Sequence, residues 1–286
     1  MELWFTERET DHLRVQCRIE RTLHRERSPY QEIAVVESVE FGRMLVLDGI
    51  IQTSERDEFV YHEMLAHVPL FTHPRPERVL VIGGGDGGTV REVLKHPEVR
   101  RVHLVEIDER VVAVSREYLP GLAGALSDPR VDVRIADGIA YVKERRQAYD
   151  VILVDSSDPV GPAEGLFTAE FYRDAAAALR KEGILALQSE SCFFTPGLVQ
   201  SIYRAVDQHF PSVFLYTASI PTYSTGPWCF TLASKRYLES PAPRRARGRI
   251  QTRYYSPEIH KAAFVLPPYL KELLTGEREA SGVQGA

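Results

Sequence analysis

The most constraining feature of this 286-residue chain is the regular alternation of short apolar runs with helical patterns that begins at Arg78. The first run, Val79–Ile82, leads directly into the glycine-rich loop Gly83–Gly88 and then into a helical pattern through Lys95. Further strands are predicted at residues 102–107, 131–136, 150–154, 184–188, 214–217 and 229–233. Strands that alternate with helices form a mostly parallel sheet covered on both faces, and ligands bind at the carboxyl ends of its strands. The sequence therefore predicts a doubly wound, Rossmann-like α/β fold.

The first 57 residues carry a different pattern, typical of antiparallel β-structure. Ile33–Ser38 is a β-branched run, and the apolar runs 44–47 and 50–53 flank the dipeptide Asp48-Gly49. Asp-Gly in this position indicates a hairpin, because a type I′ turn needs positive φ at both central residues. A small N-terminal antiparallel β-domain is the expected structure.

Two helix boundaries follow from local signals. A helical pattern begins near Asp57, and Pro69 is expected to end it, because proline disrupts a helix interior. A later helix is expected to be capped by Thr168 and stopped by Gly183. The resulting domains are an N-terminal β-domain at 1–57, a Rossmann-like domain at 58–240 and a C-terminal extension at 241–286 that packs on it. The Pro- and Arg-rich segment 241–249 is interpreted as a solvated linker.

Charge and cysteine content narrow the classes of function. The 35 Lys and Arg against 40 Asp and Glu give a formal net charge of −5, which argues against nucleic acid as a partner. The three cysteines are widely spaced without a CxxC pair, which argues against a disulfide framework or a structural zinc site. No run approaches about 18 apolar residues, and the chain does not open on a signal-peptide pattern. We therefore expect a cytoplasmic protein that does not bind a membrane.

The glycine-rich loop is the first candidate binding site. Gly83, Gly85 and Gly88 match the pattern GxGxxG, and Glu106 ends the next strand, where a carboxylate can accept hydrogen bonds from a ribose diol. Asp86 lies inside the loop, where its charge would repel a pyrophosphate and attract an ammonium or sulfonium group. The alternative is a structural role for Asp86 as a helix N-cap.

Carboxylates also follow two later strands. Asp137-Gly138 comes after the third strand, where the acid can bind an adenine amino group or cap the next helix. Asp155-Ser156-Ser157-Asp158 ends the fourth strand and brings two carboxylates beside the glycine loop. No metal is expected, because hard cations usually need more oxygen ligands, and because His62 and His67, five residues apart, do not share a helix face. Such an anionic site suits a polycation.

The sequence resembles spermidine synthases in segments that run in order along nearly the whole chain. These segments are Asp48–Glu63, Gly83–Gly88, Val105–Asp108, Asp155–Pro162, Ile220–Tyr223 and Tyr254–Phe264. Members of that family transfer the aminopropyl group of decarboxylated S-adenosylmethionine to putrescine, which gives spermidine and 5′-methylthioadenosine. The resemblance implies this reaction without a metal, a methyltransferase-type sheet, and homodimers or homotetramers built through the N-terminal β-domain.

The resemblance also implies a role for each site residue. The residues expected to bind the adenosyl portion of the donor are Gln31, Glu106, Asp137, Gly138 and Pro162. The residues expected around the aminopropyl amine and the polyamine channel are His62, Asp86 and Asp155. The residues expected to bind the acceptor are Tyr61, Ser156, Ser157, Asp158 and Tyr223, with Trp4 and Gln52 as weaker candidates. Asp155 is expected to be the catalytic proton acceptor.

Several alternatives stay open from the sequence. Ser191-Cys192-Phe193 differs from the Pro-Trp or Pro-Phe expected in bacterial members, which leaves putrescine, agmatine, cadaverine and spermidine as candidate acceptors. The Gly- and Pro-rich loop 156–167 is either a lid that closes over the site or a rigid connection. Rival functions are an S-adenosylmethionine-dependent methyltransferase, whose intact cofactor Asp86 disfavours, and a non-catalytic protein that binds polyamine or methylthioadenosine. A nicotinamide dehydrogenase is opposed by the same aspartate.

Overall fold

The computed structural model describes residues 2–159, 161–223, 226–245 and 250–276, apart from the side chain of Pro162. In this part of the chain the N-terminal sheet contains five antiparallel strands in sequence order. They are β1 (Leu3–Arg8), β2 (Arg14–Arg27), β3 (Glu32–Ser38), β4 (Gly42–Leu47) and β5 (Ile50–Ser54). Asp48 and Gly49 join β4 to β5 with φ values of 48° and 85°. The predicted hairpin is confirmed, and both central residues have the positive φ that its turn requires.

Helix α1 (Glu58–Thr72) follows the first sheet and is buried along its length except at Phe59. The prediction that Pro69 ends this helix is wrong, because the helix continues to Thr72. Pro69 lies in the last turn, where its own carbonyl still accepts a hydrogen bond from the backbone of His73 at 2.9 Å. A proline so close to a helix end disturbs few of the backbone hydrogen bonds that a central proline would break.

The second sheet contains seven strands among the described residues, in the order β11-β12-β10-β9-β6-β7-β8. Their bounds are β6 (Arg78–Gly83), β7 (Arg101–Glu106), β8 (Val131–Ile135), β9 (Tyr149–Asp155), β10 (Leu179–Ser191), β11 (Ser212–Ala218) and β12 (Trp228–Ser234). Of these seven strands, β12 alone runs in the opposite direction to the other six. The predicted mostly parallel, methyltransferase-type sheet is confirmed. Strand order reverses at β6, so a ligand crevice is expected at the carboxyl ends of β6, β7 and β9.

Helices cover both faces of this sheet. Their bounds are α2 (Gly88–Leu94), α3 (Glu109–Tyr118), α4 (Pro120–Ala123), α5 (Gly138–Lys143), α6 (Ala169–Ala178), α7 (Pro196–Asp207), α8 (Pro257–Ala263) and α9 (Pro268–Thr275), with 3₁₀ turns at Gly124–Ser127 and Gly161–Phe167. In β6, Val79 and Val81 pack into the core on the α1 and α2 side, whereas Leu80 and Ile82 pack into the core beside α6 and α7. Both faces of the strand are buried, which explains its uninterrupted apolar sequence. Among the described helices, none is long and apolar enough to cross a membrane.

The end of α6 differs from the prediction. Thr168 caps this helix as expected, and its hydroxyl accepts a hydrogen bond from the Phe171 backbone at 3.3 Å. Gly183 does not stop it, because α6 ends at Ala178 and the chain enters β10 at Leu179. Leu179 is fully buried and pairs with Tyr149 at the start of β9, so sheet pairing ends the helix before the glycine is reached.

The C-terminal extension packs against α1. The expectation of a solvated linker is wrong for Pro241 and Arg244, whereas Ala242 and Arg245 are exposed and 246–249 lie outside the described residues. The carbonyl of the buried Pro241 accepts a hydrogen bond from His260 at 2.6 Å, and Arg244 forms an ion pair with Glu98 at 2.9 Å. Glu63 of α1 accepts the backbone amides of residues 253, 254 and 255, each at 2.8 Å. The domain boundaries at residues 57 and 240 stay predictions.

Candidate active site

A cavity of about 380 Å³ opens at the carboxyl ends of β6, β7 and β9 and collects most of the predicted site residues. Those that line it are Gln31, Gln52, Tyr61, His62, Asp86, Glu106, Asp137, Gly138, Asp155, Ser156, Ser157, Asp158 and Tyr223. Trp4 is not among the described residues that line it; this side chain lies on β1 and is 52% exposed. The side chain of Pro162 lies outside the described part of the chain.

The glycines of the loop between β6 and α2 allow functional side chains to approach the backbone. Gly84 has a φ of 68°, and a Cβ at this position would lie 2.6 Å from Oδ2 of Asp155. A Cβ at Gly88 would lie 2.3 to 2.6 Å from ring atoms of His62. The loop therefore needs glycine because a carboxylate and an imidazole occupy the space beside it.

Asp155 is held in place by two hydroxyl groups. The Tyr61 hydroxyl donates to its Oδ1 at 2.8 Å, and the Thr89 hydroxyl donates to its Oδ2 at 2.6 Å. Burial raises the pKa of Asp155, and the nearby charge of Asp86 raises it further, although both hydroxyls act in the opposite direction. A positioned carboxylate with a raised pKa is suited to accept a proton. The contribution of Thr89 is not visible in the sequence, where it reads only as part of a helix start.

Asp86 lines the cavity and also binds the backbone of its own loop. Its Oδ1 accepts a hydrogen bond from the Gly88 backbone at 2.6 Å and lies 3.5 Å from Nε2 of His62. Burial opposes ionisation of Asp86, but the charge of His62 and these hydrogen bonds outweigh it and lower the pKa of the carboxyl. The N-cap residue of α2 is Gly87, so the alternative interpretation of Asp86 as the helix N-cap is wrong, although its carboxylate accepts the amide of the first helical residue.

The carboxylates after β7 and β8 lie at the other end of the cavity. Glu106 accepts backbone hydrogen bonds from Gly85 at 3.2 Å and Asp108 at 3.0 Å, and burial raises its pKa to about 7. Asp137 caps α5 by accepting from the Ile139 backbone at 2.8 Å. Asp137 therefore caps a helix and lines the cavity at the same time.

The N-terminal sheet completes this end of the cavity. Gln31 lies immediately before β3 and donates from Nε2 to Oδ2 of Asp108 at 3.0 Å. Ser28 donates to the same oxygen at 2.6 Å. These two bonds fix the loop between β2 and β3 against the start of α3, where Asp108 is the N-cap.

A second cavity of about 140 Å³ continues from the first and shares Gln52, Tyr61, Ser156, Asp158 and Tyr223 with it. The carboxylates that line it are Glu7, Glu9, Asp158 and Glu190. Burial raises the pKa of Glu7 and of Glu190 to about 8, and the charge of Asp158 adds to the shift at Glu190.

Sequence reasoning missed Glu7 and Glu190. Glu190 has a φ of 69° and lies in an irregular stretch of the β10–β12 pairing between Gln188 and Ser191. A bulge turns a side chain away from the regular alternation of a strand, so no sequence pattern indicates where it points. Strained backbone of this kind is common at functional sites.

Tyr223 is positioned by a buried aspartate at the start of α1. Asp57 Oδ2 accepts hydrogen bonds from the backbone and the hydroxyl of Thr222 at 2.7 and 2.8 Å. The Tyr223 hydroxyl then donates to the carbonyl of Gln52 at 2.5 Å, and its ring lies edge-on to Tyr61 at 5.9 Å. The two tyrosines form one wall between the cavities.

The histidines of α1 point to different surroundings, as predicted. His62 faces Asp86, whereas His67 forms hydrogen bonds with His96 at 2.9 Å and Glu92 at 3.1 Å. Within residues 2–276, where the structure describes them, no group of three or more His, Cys, Asp or Glu is arranged to hold a metal ion.

Comparison with known proteins gives consistent matches. The family model described as the spermine/spermidine synthase domain matches residues 58–241, and the spermidine synthase tetramerisation domain matches residues 3–55. A polyamine aminopropyltransferase of Bacillus mycoides is 52% identical over 96% of this chain and 100% of its own length. A polyamine aminopropyltransferase of Moorella thermoacetica is 52% identical over 97% of this chain and 98% of its own length.

Solved structures show the same similarity. A spermidine synthase in complex with the transition state analogue AdoDATO superposes with a TM-score of 0.91 at 39% identity, covering 96% of this chain and 95% of that one. The spermidine synthase from Thermotoga maritima superposes with a TM-score of 0.88 at 38% identity, covering 96% and 94%.

Proposed function

Because the chain belongs to the spermine/spermidine synthase family and is a polyamine aminopropyltransferase, we propose that it transfers the aminopropyl group of decarboxylated S-adenosylmethionine to putrescine. The products are spermidine and 5′-methylthioadenosine. One observation carries the proposal most directly. Asp86, Asp155 and Asp158 line a single cavity that also contains Glu106 at its other end. Such a cavity offers anionic groups to a polycation and a carboxylate to a ribose.

The donor fits the larger cavity with its adenosine toward Glu106 and Asp137 and its aminopropyl amine toward Asp86 and Asp155. An intact S-adenosylmethionine would bring its own carboxylate near Asp86. Like charges about 4 Å apart repel by roughly 1–4 kcal/mol, depending on the local dielectric. Asp86 thus favours the decarboxylated donor.

The reaction is an in-line displacement. The acceptor nitrogen forms a bond to the methylene carbon beside the sulfonium, the carbon–sulfur bond breaks, and sulfur keeps the electron pair as a neutral thioether. The leaving group therefore needs neither a metal nor an acid. The acceptor does need help, because an alkylammonium has no lone pair and its deprotonation at pH 7 costs about 4–5 kcal/mol.

In the proposed mechanism Asp155 takes that proton. The support is that Asp155 and Tyr61 are joined by a hydrogen bond and both line the cavity. Positioning the amine and the donor carbon in line supplies several further kcal/mol. Asp158 holds the distal ammonium of the acceptor, while the desolvated amine reacts beside Asp155.

The smaller cavity bears on the choice of acceptor. It begins at Asp158 and extends to Glu7 and Glu190. Putrescine is the shortest of the candidate acceptors, and agmatine, cadaverine or spermidine would reach further toward Glu7 and Glu190. We keep these longer amines as alternative acceptors for the same reaction.

The N-terminal sheet is proposed to mediate self-association. Residues 3–55 match the spermidine synthase tetramerisation domain, and Leu3 and Trp4 on β1 are about half exposed in the single chain, at 46% and 52%. We propose a homodimer or homotetramer assembled through this sheet.

The test is to incubate the purified protein with decarboxylated S-adenosylmethionine and each candidate amine, and to follow methylthioadenosine and polyamine products by mass spectrometry. Spermidine formed from putrescine supports the proposal. Product only with agmatine, cadaverine or spermidine changes the acceptor and keeps the reaction. A parallel incubation with intact S-adenosylmethionine tests the methyltransferase alternative. No methylthioadenosine with any amine, from folded protein, contradicts the proposal and favours a binding role.

A further inference from the structure

We propose that Glu58 and Arg91 are positioning residues that hold His62 as an imidazolium against Asp86, so that Asp86 stays ionised while Asp155 accepts the proton of the acceptor amine. The proposal rests on the proposed function for the identity of the reaction. It adds two residues outside the predicted site and a defined charge state for a third.

The first observation is that His62 lies between two carboxylates. Its Nδ1 lies 2.6 Å from Oε2 of Glu58, and its Nε2 lies 3.5 Å from Oδ1 of Asp86. A neutral imidazole has one N–H and can donate to only one of them, whereas an imidazolium donates to both. The ring is 2% exposed and lies close to Gly88. The arrangement therefore favours the doubly protonated ring.

The second observation is that Glu58 is itself fixed. Arg91 of α2 donates from Nη2 to Oε2 of Glu58 at 2.7 Å and from Nε to Oε1 of Glu92 at 2.9 Å. Glu58 is 6% exposed, and burial opposes its ionisation, but His62 and, to a smaller extent, the Arg91 guanidinium outweigh burial and lower its pKa. The Glu58 carboxylate on α1, which orients the His62 ring, is thus held by Arg91 of α2.

The charged groups around His62 also favour its protonation. Glu58 faces it from its own helix, Asp86 from the glycine loop and Asp155 from the end of β9, while Arg91 faces the cluster from α2. Three carboxylates against one guanidinium leave an excess of negative charge that a protonated His62 reduces. The pKa of His62 is raised well above its usual value: burial acts against the charge, but Asp86 and Glu58 outweigh it.

The consequence is a division of roles between two neighbouring carboxyl groups. His62 lowers the pKa of Asp86, and the negative charge of Asp86 raises the pKa of Asp155. The charge of His62 also acts on Asp155 directly and lowers its pKa, but this effect is smaller than that of Asp86. When the surroundings of two neighbouring carboxyl groups separate their pKa values, the group with the lower pKa stays charged and the group with the higher pKa can accept a proton. Glu58 does not line the 380 Å³ cavity, so it acts through His62 rather than on the substrate.

The test follows the protonation of His62 by ¹⁵N NMR of histidine-labelled protein, with the signal assigned by a His62→Gln variant. In the unliganded wild type, we expect His62 to remain doubly protonated through pH 8. A neutral His62 at pH 7 overturns the proposal. This measurement needs no substrate, so it decides the proposal even if the enzyme turns over none of the amines tested.

Glu58→Gln then removes the charge while keeping the shape of the side chain. We expect the pKa of His62 to fall by at least about one unit. As the pH rises from 6 to 8.5, kcat/KM for the donor should then fall about tenfold further in this variant than it does in wild type. Glu58→Asp should restore part of both. An unchanged His62 titration and pH profile in folded Glu58→Gln overturn the proposal.

Glu63→Gln is the matched control. Glu63 is on the same helix, is 1% exposed and binds the backbone of residues 253–255 instead of His62. We expect this variant to lose thermal stability while His62 titrates as in wild type. If Glu63→Gln shifts the His62 pKa as much as Glu58→Gln does, the effect is a general loosening of α1 and the proposal is wrong.

Discussion

Asp155 has the environment that a general base needs in this reaction. It ends a central strand, accepts hydrogen bonds from Tyr61 and Thr89, and faces the cavity where the amine would react. Its raised pKa, caused by burial and by the charge of Asp86, increases its affinity for the proton that the ammonium must lose. The two hydroxyls lower this affinity somewhat, but they fix the direction of the carboxylate.

Asp155→Asn keeps the size of the side chain and removes the proton acceptor. We expect kcat at saturating substrates to fall by about 10²–10⁴-fold, the usual range for loss of a general base. Single-turnover formation of methylthioadenosine measures the step directly. The increase in Tm caused by the donor should persist in part, which would show that the variant still binds it. Near-wild-type turnover would exclude Asp155 as the base.

The raised pKa of Glu190 is expected to make acceptor binding depend on pH. Its pKa is raised to about 8 by burial and by Asp158, so the unliganded carboxyl holds a proton below that pH. A diamine stays cationic until about pH 10, and a cation binds the ionised carboxylate. The acceptor must therefore displace this proton at low pH, and its KM should fall as the pH rises from 6 to about 8 and then level off.

Measuring the acceptor KM from pH 6 to 9 at saturating donor tests this prediction. Glu190→Gln should raise the KM and reduce its slope with pH, while Glu7 and Asp158 leave a remainder. A Glu190→Gln variant with the wild-type KM and slope would place the acceptor outside the smaller cavity.

Among the helices and strands, the sequence predicted those with a local signal. The hairpin at Asp48-Gly49 and the alternating strands followed from turn chemistry and apolar runs. The ends of α1 and α6 did not follow, because Pro69 is tolerated in a last turn and because pairing of Leu179 with β9 overrides Gly183. The direction of Glu190 depends on a local irregularity in β10, which has no sequence signal.

At Gly88, the first residue of α2, an alanine is expected to favour the helix but to disturb the site. Gly88→Ala should favour an isolated helix by up to about 1 kcal/mol. In this fold the new Cβ would lie 2.3 Å from the ring of His62, so either the ring or the helix must move. We expect a lower Tm and at least about a tenfold loss of kcat/KM, because His62 then leaves its place between Glu58 and Asp86.

Gly121→Ala in α4 is the matched control for that change. A Cβ at Gly121 meets no atom within 4 Å, so this variant should keep wild-type activity and an equal or higher Tm. If Gly88→Ala behaved like Gly121→Ala, the close packing of His62 on the loop would not matter for catalysis.

The two sheets together form the site. The family resemblance implied this for Gln31 and Gln52, but the pattern of residues by itself did not. Ile33, Val35 and Leu45 of the N-terminal sheet share a buried cluster with residues of α3, and Arg110 of α3 pairs with Glu26 at 2.7 Å. The N-terminal sheet and its loops also contribute Gln31, Gln52 and Glu7 to the cavities. Contacts between residues far apart in sequence leave no periodic pattern, so the presence of Glu7 and Glu190 in one cavity emerges only from the fold.

Across the chain, the buried carboxyls of the site should make stability depend on pH and on ligand. Glu7, Glu106 and Glu190 have pKa values raised to about 8, 7 and 8 in the folded state. A carboxyl with a raised pKa holds more protons folded than unfolded, so its stabilising contribution is present below about pH 4.5 and is lost as the pH rises through the folded pKa. The unliganded protein should therefore lose part of this contribution between pH 6.5 and pH 8.5.

A cationic acceptor should reverse part of that loss, because it favours the ionised form of Glu7 and Glu190, which line the smaller cavity. Saturating putrescine, cationic at both pH values, is expected to raise Tm more at pH 8.5 than at pH 6.5. One kcal/mol corresponds to about 2–4 °C in a chain of this size, so the difference is measurable by calorimetry. Sodium chloride at equal ionic strength controls for screening, and Glu190→Gln should reduce the difference. An equal Tm increase at both pH values would mean that putrescine binds without displacing protons, and that the raised pKa values are unrelated to the acceptor.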